Sequence, residues 1–123
     1  MEPIFLFYVT IMNYLTSAKA TLTRYAQAIN LLNQRLSDEF NEAVKMILEC
    51  EGRVVIAGIG KSGLVGKKMV ATLASTGTPS FFLHPTEAFH GDLGMLKPID
   101  VVILISNSGE TDDVNKLIPS LKS

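Results

Sequence analysis

The feature that most constrains the fold is the stretch from Arg53 to Gly63, Arg-Val-Val-Ile-Ala-Gly-Ile-Gly-Lys-Ser-Gly. A short apolar run, Val54 to Ala57, breaks into glycines, a lysine and a serine, and a helical pattern starts at Leu64. That order predicts a strand, a tight turn and a helix N-terminus, where unpaired backbone N–H groups and the positive end of the helix dipole can hold an anion. Gly58, Gly60 and Gly63 give the backbone access to positive φ and to close approach by a ligand, and the anion expected there is a phosphate.

The same unit recurs further along the chain. Val101 to Ile105 is an apolar run, Ser106-Asn107-Ser108-Gly109-Glu110-Thr111 is its loop, and a helix carrying Val114, Leu117, Ile118 and Leu121 is expected from Asp112 onward. Between the two units, Leu64, Val65, Met69, Val70, Leu73 and Ala74 form the expected core face of a helix, with Lys67 and Lys68 outward. Gly77 and Pro79 stop that helix, Ser80 to Leu83 is another short strand, and a loop from His84 to Gly94 follows.

Upstream, Leu15, Ala18, Leu22, Tyr25, Ile29, Leu32 and Leu36 alternate three and four residues apart, the stripe of a long amphipathic helix. Such a stripe packs either on its own domain or on another subunit. Ser37 and Asp38 open a second helix whose expected buried face is Phe40, Ala43, Val44, Ile47 and Leu48, with Gly52 ending it in the left-handed conformation. N-terminal helices followed by alternating strands and helices predict an α/β fold, a three-layer α/β/α sandwich around a parallel sheet. Ligands in such sheets sit at the carboxyl ends of the strands, where all three loops emerge.

A net charge of −1 and a pI near 6.1 supply no basic footprint for nucleic acid. The one cysteine, Cys50, excludes an intrachain disulfide, suits a reducing cytoplasm and reads as a packed thiol rather than a nucleophile. The apolar run from Ile4 to Val9 has no basic residue before it and is too short to span a bilayer, so neither a targeting signal nor a membrane anchor is expected. Met12 reads as a candidate true start, with residues 1–13 an N-terminal extension.

Gly58-Ile59-Gly60-Lys61-Ser62-Gly63 satisfies the dinucleotide pattern G-x-G-x-x-G, but that fingerprint needs an acidic residue near the end of the second strand, which here reads Leu83-His84-Pro85. A Walker A loop fails by count, because its first glycine would fall at Val55. In the second loop Thr111 reads as a helix N-cap followed by first-turn acids. One cap does not need Ser106, Asn107 and Ser108 as well, which favours a phosphate cradle. His84, Glu87, His90 and Asp92 match no zinc spacing, so no metal and no cofactor is expected.

Four ordered motifs carry a resemblance. Gly-Ile-Gly-Lys-Ser-Gly, Ser-Thr-Gly-Thr-Pro-Ser-Phe-Phe at 75 to 82, His-Gly-Asp-Leu-Gly at 90 to 94 and Ile-Ser-Asn-Ser-Gly-Glu at 105 to 110 resemble the sugar isomerase (SIS) domain of bacterial arabinose-5-phosphate isomerases. The resemblance covers roughly residues 14 to 123. It implies interconversion of D-ribulose 5-phosphate and D-arabinose 5-phosphate on the route to the Kdo of lipopolysaccharide or capsule, in a homo-oligomer, tetrameric in the family. It also implies phosphate binding by Ser62, Ser106, Ser108 and Thr111, with Gly60 and Asn107 beside them, and catalysis by Lys61, His90 and Asp113. Asp113 stands where relatives carry a glutamate, a carboxylate with a shorter reach. The family's domain has two further strands and another glutamate and histidine, so residues 14–123 read as a SIS domain incomplete at its C-terminal end and inactive alone. A non-catalytic phosphosugar-binding module is the alternative from a different class.

Overall fold

The computed structural model describes residues 13–122; the run from Ile4 to Val9 and the expected start at Met12 lie outside them. The chain divides into two compact units, Met1–Asn41 and Glu42–Ser123. In the first, helix α1 (Tyr14–Arg35) starts where the Asn13 side chain accepts the Thr16 N–H at 3.0 Å, satisfying one of the amides a helix start leaves unpaired. Its stripe of Leu15, Leu22, Tyr25, Ile29, Leu32 and Leu36 is exposed. Helix α2 (Asp38–Leu48) begins in the first unit and runs into the second, with Asp38 and Glu39 in its first turn.

The second unit holds β1 (Val54–Gly58), α3 (Gly60–Ser75), β2 (Ser80–Leu83), α4 (Pro85–Ala88), a 3-10 turn (Asp92–Met95), β3 (Val101–Ile105), α5 (Asp112–Asn115) and α6 (Leu117–Lys122). The sheet is parallel with order β2-β1-β3, and Val54 is in register with both Ser80 and Val101. β1, central and covered on both faces, is buried along its whole length, which is why it reads as an unbroken apolar run. One face carries Val55, Ala57 and Leu83, packed with Ala88 of α4 and Leu117 of α6. The other meets α3, whose Gly66 comes against Ile56 and Phe82. Helices on both faces complete the three layers.

Arg53 and Asp100 lock the amino-terminal end of the sheet. Asp100 accepts the Arg53 backbone N–H at 2.8 Å, its Nη2 at 2.9 Å and the Lys97 N–H at 2.8 Å. The Asp100 side chain is 1% exposed and that of Arg53 32%. Arg53 also donates to the Met95 carbonyl at 2.6 Å and lies 4.7 Å from the centre of the Phe81 ring. Burial pushes the Asp100 carboxyl up, but the Arg53 side-chain bond, the two backbone N–H bonds and the guanidinium charge together hold it at about 2.

Five expectations need correction. Helix α3 starts at Gly60, not Leu64, so Lys61 and Ser62 occupy its first turn. Its sheet-facing side is Gly63, Gly66, Val70 and Leu73, while Leu64, Val65 and Ala74 are exposed and Met69 is about one-third so. The glycines let the helix approach so closely that an added Cβ at Gly66 would sit 3.1 Å from Ile56 Cγ2. Gly52 is not left-handed; it is there for clearance, since a Cβ would lie 2.5 Å from Asp100 Oδ1. The face expected to be buried on α2 is exposed at Phe40, Ala43, Val44 and Leu48 and half-buried at Ile47, because little among the described residues covers it. The helix expected from Asp112 onward is broken at Lys116, because Pro119 has no N–H to bond the Asn115 carbonyl. Gly77, by contrast, ends α3 at φ 98° as the sequence implies, and Cys50 is a half-buried thiol 3.6 Å from the carbonyls of Arg53 and Ile99.

Asp100→Asn should cost about 2 to 3 kcal/mol at neutral pH, because it removes the charge that partners Arg53. A carboxyl lowered in the folded state stabilises above its ordinary value of 3.8, and that contribution fades as pH falls toward about 2. Urea unfolding midpoints for the two proteins should therefore converge between pH 4 and 2; a constant gap would contradict the assignment.

Candidate functional site

β1 sends its chain to β2 through α3 on one face, and β3 lies on the other side of β1, so the connections diverge between β1 and β3. Such a switch point leaves a crevice at the carboxyl ends of the two strands. Gly58 and Ile105 are register partners, about 4.8 Å apart as neighbouring strands are, and the two loops begin directly after them. The two glycine and serine loops therefore emerge side by side.

In the first loop, Gly60 has φ 60°, which lets the chain turn from strand into helix within two residues. Ile59 occupies the N-cap and offers no side-chain cap, and the first intrahelical bond is Gly63 N–H to the Ile59 carbonyl at 3.3 Å. The amides of Gly60, Lys61 and Ser62 thus precede the ladder, at the positive end of a 16-residue helix. Gly63 is held against the strand end, since a Cβ there would be 2.7 Å from the Gly58 carbonyl oxygen. Lys61 is exposed and Ser62 half-buried.

The second loop is closed by its own side chains. Ser106 Oγ and Thr111 Oγ1 are 2.8 Å apart, Ser106 Oγ accepts the Gly109 N–H at 3.0 Å, and Ser108 Oγ accepts the Glu110 N–H at 3.1 Å. Thr111 stands at the N-cap of α5, as expected, but makes no capping bond; its hydroxyl goes to Ser106 instead. Because the serine oxygens accept from backbone amides, their protons are left to donate. Ser108 keeps its O–H, and the Ser106–Thr111 pair uses one of its two protons internally and keeps the other. A loop whose hydroxyls keep protons to donate favours an anion.

The remaining expected residues are less closely assembled. Asn107 is exposed, and its side chain, like those of Lys61, Ser62 and His90, makes no hydrogen bond or ion pair with the described residues. Asp113 is half-exposed, with Lys116 Nζ 3.8 Å from its carboxylate on the next turn. α4 packs against α5, which brings the loop after β2 beside the loop after β3. His90 lies past that contact, exposed, with its N–H on the Glu87 carbonyl at 2.9 Å and Gly91 next to it at φ 127°. Among the described residues, His90 makes no hydrogen bond or ion pair with either glycine and serine loop. His84 caps α4, its Nδ1 accepting the Thr86 N–H at 3.3 Å and its ring edge-on to Phe82. Among the described residues no three His, Cys, Asp or Glu side chains converge, and no helix is long and apolar enough to cross a membrane. Two cavities, of about 400 and 370 Å³, open at the other end of the sheet around Pro98 and Asp100. Sequence reasoning missed Asn115, whose Nδ2 donates to the Gly109 carbonyl at 3.3 Å; an amide side chain within one helical turn of the loop is the signal.

The SIS domain profile matches residues 47–123, and the chain belongs to that family. It is 73% identical over 112 residues to a Haemophilus influenzae protein named "Probable arabinose 5-phosphate isomerase", a match covering 91% of this chain and 33% of the relative. It is 56% identical over 110 residues to the Escherichia coli arabinose 5-phosphate isomerase KpsF, covering 89% and 34%. An Escherichia coli CFT073 structure in complex with arabinose 5-phosphate superposes with a TM-score of 0.79 at 44% identity, covering 99% of this chain and 61% of that one. The chain spans about a third of the length of the curated relatives it matches.

Gly63→Ala should destabilise the chain by about 1 to 3 kcal/mol, since the new methyl must push the helix start off the Gly58 carbonyl. Gly94→Ala, with nothing within 4 Å of its Cβ, is the control and should be near neutral. Denaturation midpoints of both variants check this; equal effects would refute the close strand-to-helix contact.

Proposed function

We infer that this chain carries the sugar-phosphate site of an arabinose-5-phosphate isomerase, which interconverts D-ribulose 5-phosphate and D-arabinose 5-phosphate. The observation that carries the reading is the pairing, at one switch point, of an uncapped helix start bearing Lys61 and Ser62 with a hydroxyl loop whose serine oxygens accept backbone N–H groups and so keep hydroxyl protons to donate. The names of the relatives and the arabinose 5-phosphate held by a structural neighbour support the same substrate. The domain on this reading takes in residues 14–123, the setting is the cytoplasm, and the working form is a homo-oligomer, with the exposed stripe on α1 available for contact.

The phosphate is held by the amides of the first turn of α3 and by the hydroxyls of Ser62, Ser106, Ser108 and Thr111, with Gly60 and Asn107 bordering it. At the other end of the sugar, a base removes a proton from C1 of the ketose while O2 gains one, giving an enediol. A proton then returns to C2 as O1 loses its own, which leaves the aldehyde without net oxidation. Asp113 is the candidate base, its carboxylate oriented by Lys116; Lys61 steadies charge that develops on oxygen, and His90 moves the hydroxyl proton.

One observation favours a second reading, a phosphosugar-binding module without catalysis: among the described residues the His90 side chain makes no hydrogen bond or ion pair with either loop, and the Asp113 carboxylate already has Lys116 beside it. Turnover separates the two, because a binding module takes up the sugar phosphate and leaves it unchanged.

Titration calorimetry with arabinose 5-phosphate should show binding that falls about a hundredfold in a Ser108→Ala, Thr111→Ala double variant, the loss expected for two hydrogen bonds to a charged group. Unchanged affinity would remove the hydroxyl loop from the site. In a coupled assay of a full-length isomerase carrying this segment, Lys61→Ala should lower kcat far more than it raises KM, as expected for a transition-state interaction. A change in KM alone would make it a substrate anchor.

A further inference from the structure

One peptide unit of the hydroxyl loop is held at both ends by side chains. The Glu110 N–H donates to Ser108 Oγ at 3.1 Å, and the carbonyl of the same unit, that of Gly109, accepts from Asn115 Nδ2 at 3.3 Å. Gly109 sits at φ 71°, in the left-handed region that glycine adopts freely, and rotation of the unit would change the ψ of Gly109 and the φ of Glu110. Rotation reverses the two groups. Ser108 Oγ would then face a carbonyl instead of an N–H, and its hydroxyl would donate to that carbonyl.

We propose that Asn115 is a positioning residue for the phosphate site: by holding the Gly109 carbonyl it keeps the Ser108 proton free to donate to the anion. The inference rests on the sugar-phosphate reading of the loop. It adds a residue on α5 that lies outside the glycine and serine motifs and is itself anchored, its N–H donating to the Thr111 carbonyl at 2.9 Å. Asn115 therefore links the helix to the loop through two bonds of opposite origin, one from its backbone and one from its side chain.

The test is calorimetric titration of this chain with inorganic phosphate and with arabinose 5-phosphate, for the wild type, Asn115→Leu and Asn115→Gln. Leucine keeps the bulk and removes the donor, and should weaken both ligands about fivefold, the effect of one ordinary hydrogen bond, with the melting temperature unchanged. Glutamine restores an amide donor and should recover most of that loss, which a purely structural role for Asn115 would not produce. Broadening of the Gly109 and Glu110 amide resonances in Asn115→Leu alone is expected as well. Wild-type binding with an unchanged leucine variant, or a glutamine variant as weak as leucine, overturns the inference and leaves the sugar-phosphate reading standing. A wild-type chain that binds neither ligand overturns both.

Discussion

The bond set between Arg53 and Asp100 is the constraint on which the site depends. It sits at the amino-terminal end of the sheet, one residue before β1 and one before β3, and so fixes which residue of one strand faces which of the other. A slip by one residue would turn every side chain of β3 to the opposite face of the sheet. It would also part Gly58 from Ile105, and with them the two loops that begin there. Arg53 reaches further, to Phe81 of β2 and to the Met95 carbonyl, so all three strands are referenced to one guanidinium. The role of Gly52 follows: any side chain there would occupy the space of the Asp100 carboxylate.

At the opposite end the same economy of space appears in backbone rather than in charge. α3 approaches β1 through Gly63 and Gly66, so its first turn lies directly over the strand end, and Lys61 and Ser62 are delivered to the carboxyl edge by the helix itself. A larger residue at either position would lift the helix and carry its uncapped amides away from the loop after β3. The cost of that approach is visible on the outer side of α3, where Leu64 and Val65 remain exposed.

Much of the fold was legible because apolar runs of four or five residues bounded by glycine and proline have few other uses: β1, β2 and β3 fall where the sequence implies. The core face of α3 was not, because hydropathy rewards Leu64 and Val65 and is silent on glycine, while the closest helix-to-strand contact is made by residues with no side chain. The break at Lys116 is encoded by Pro119, but the periodicity of Val114, Leu117 and Leu121 runs across it and masks it. At the candidate site, the motifs pointed to Ser106, Ser108 and Thr111 and to the edge where they stand. They could not give the direction of each hydroxyl, which depends on backbone amides that every residue carries alike.

That direction decides what the loop can hold. Glu110, Asp112 and Asp113 follow the serines closely, and by net charge alone this segment should repel a phosphate. These carboxylates are largely solvated, and Asp113 has Lys116 beside it, so their field is screened within about 8 to 10 Å at ordinary ionic strength. On the proposed reading the hydroxyl protons would act at hydrogen-bond distance, where geometry outweighs net charge. The acids at the start of α5 also complement its dipole in place of the capping bond that Thr111 does not make. The loop can therefore give up its cap to the Ser106–Thr111 pair, and that exchange turns a helix start into a donor surface.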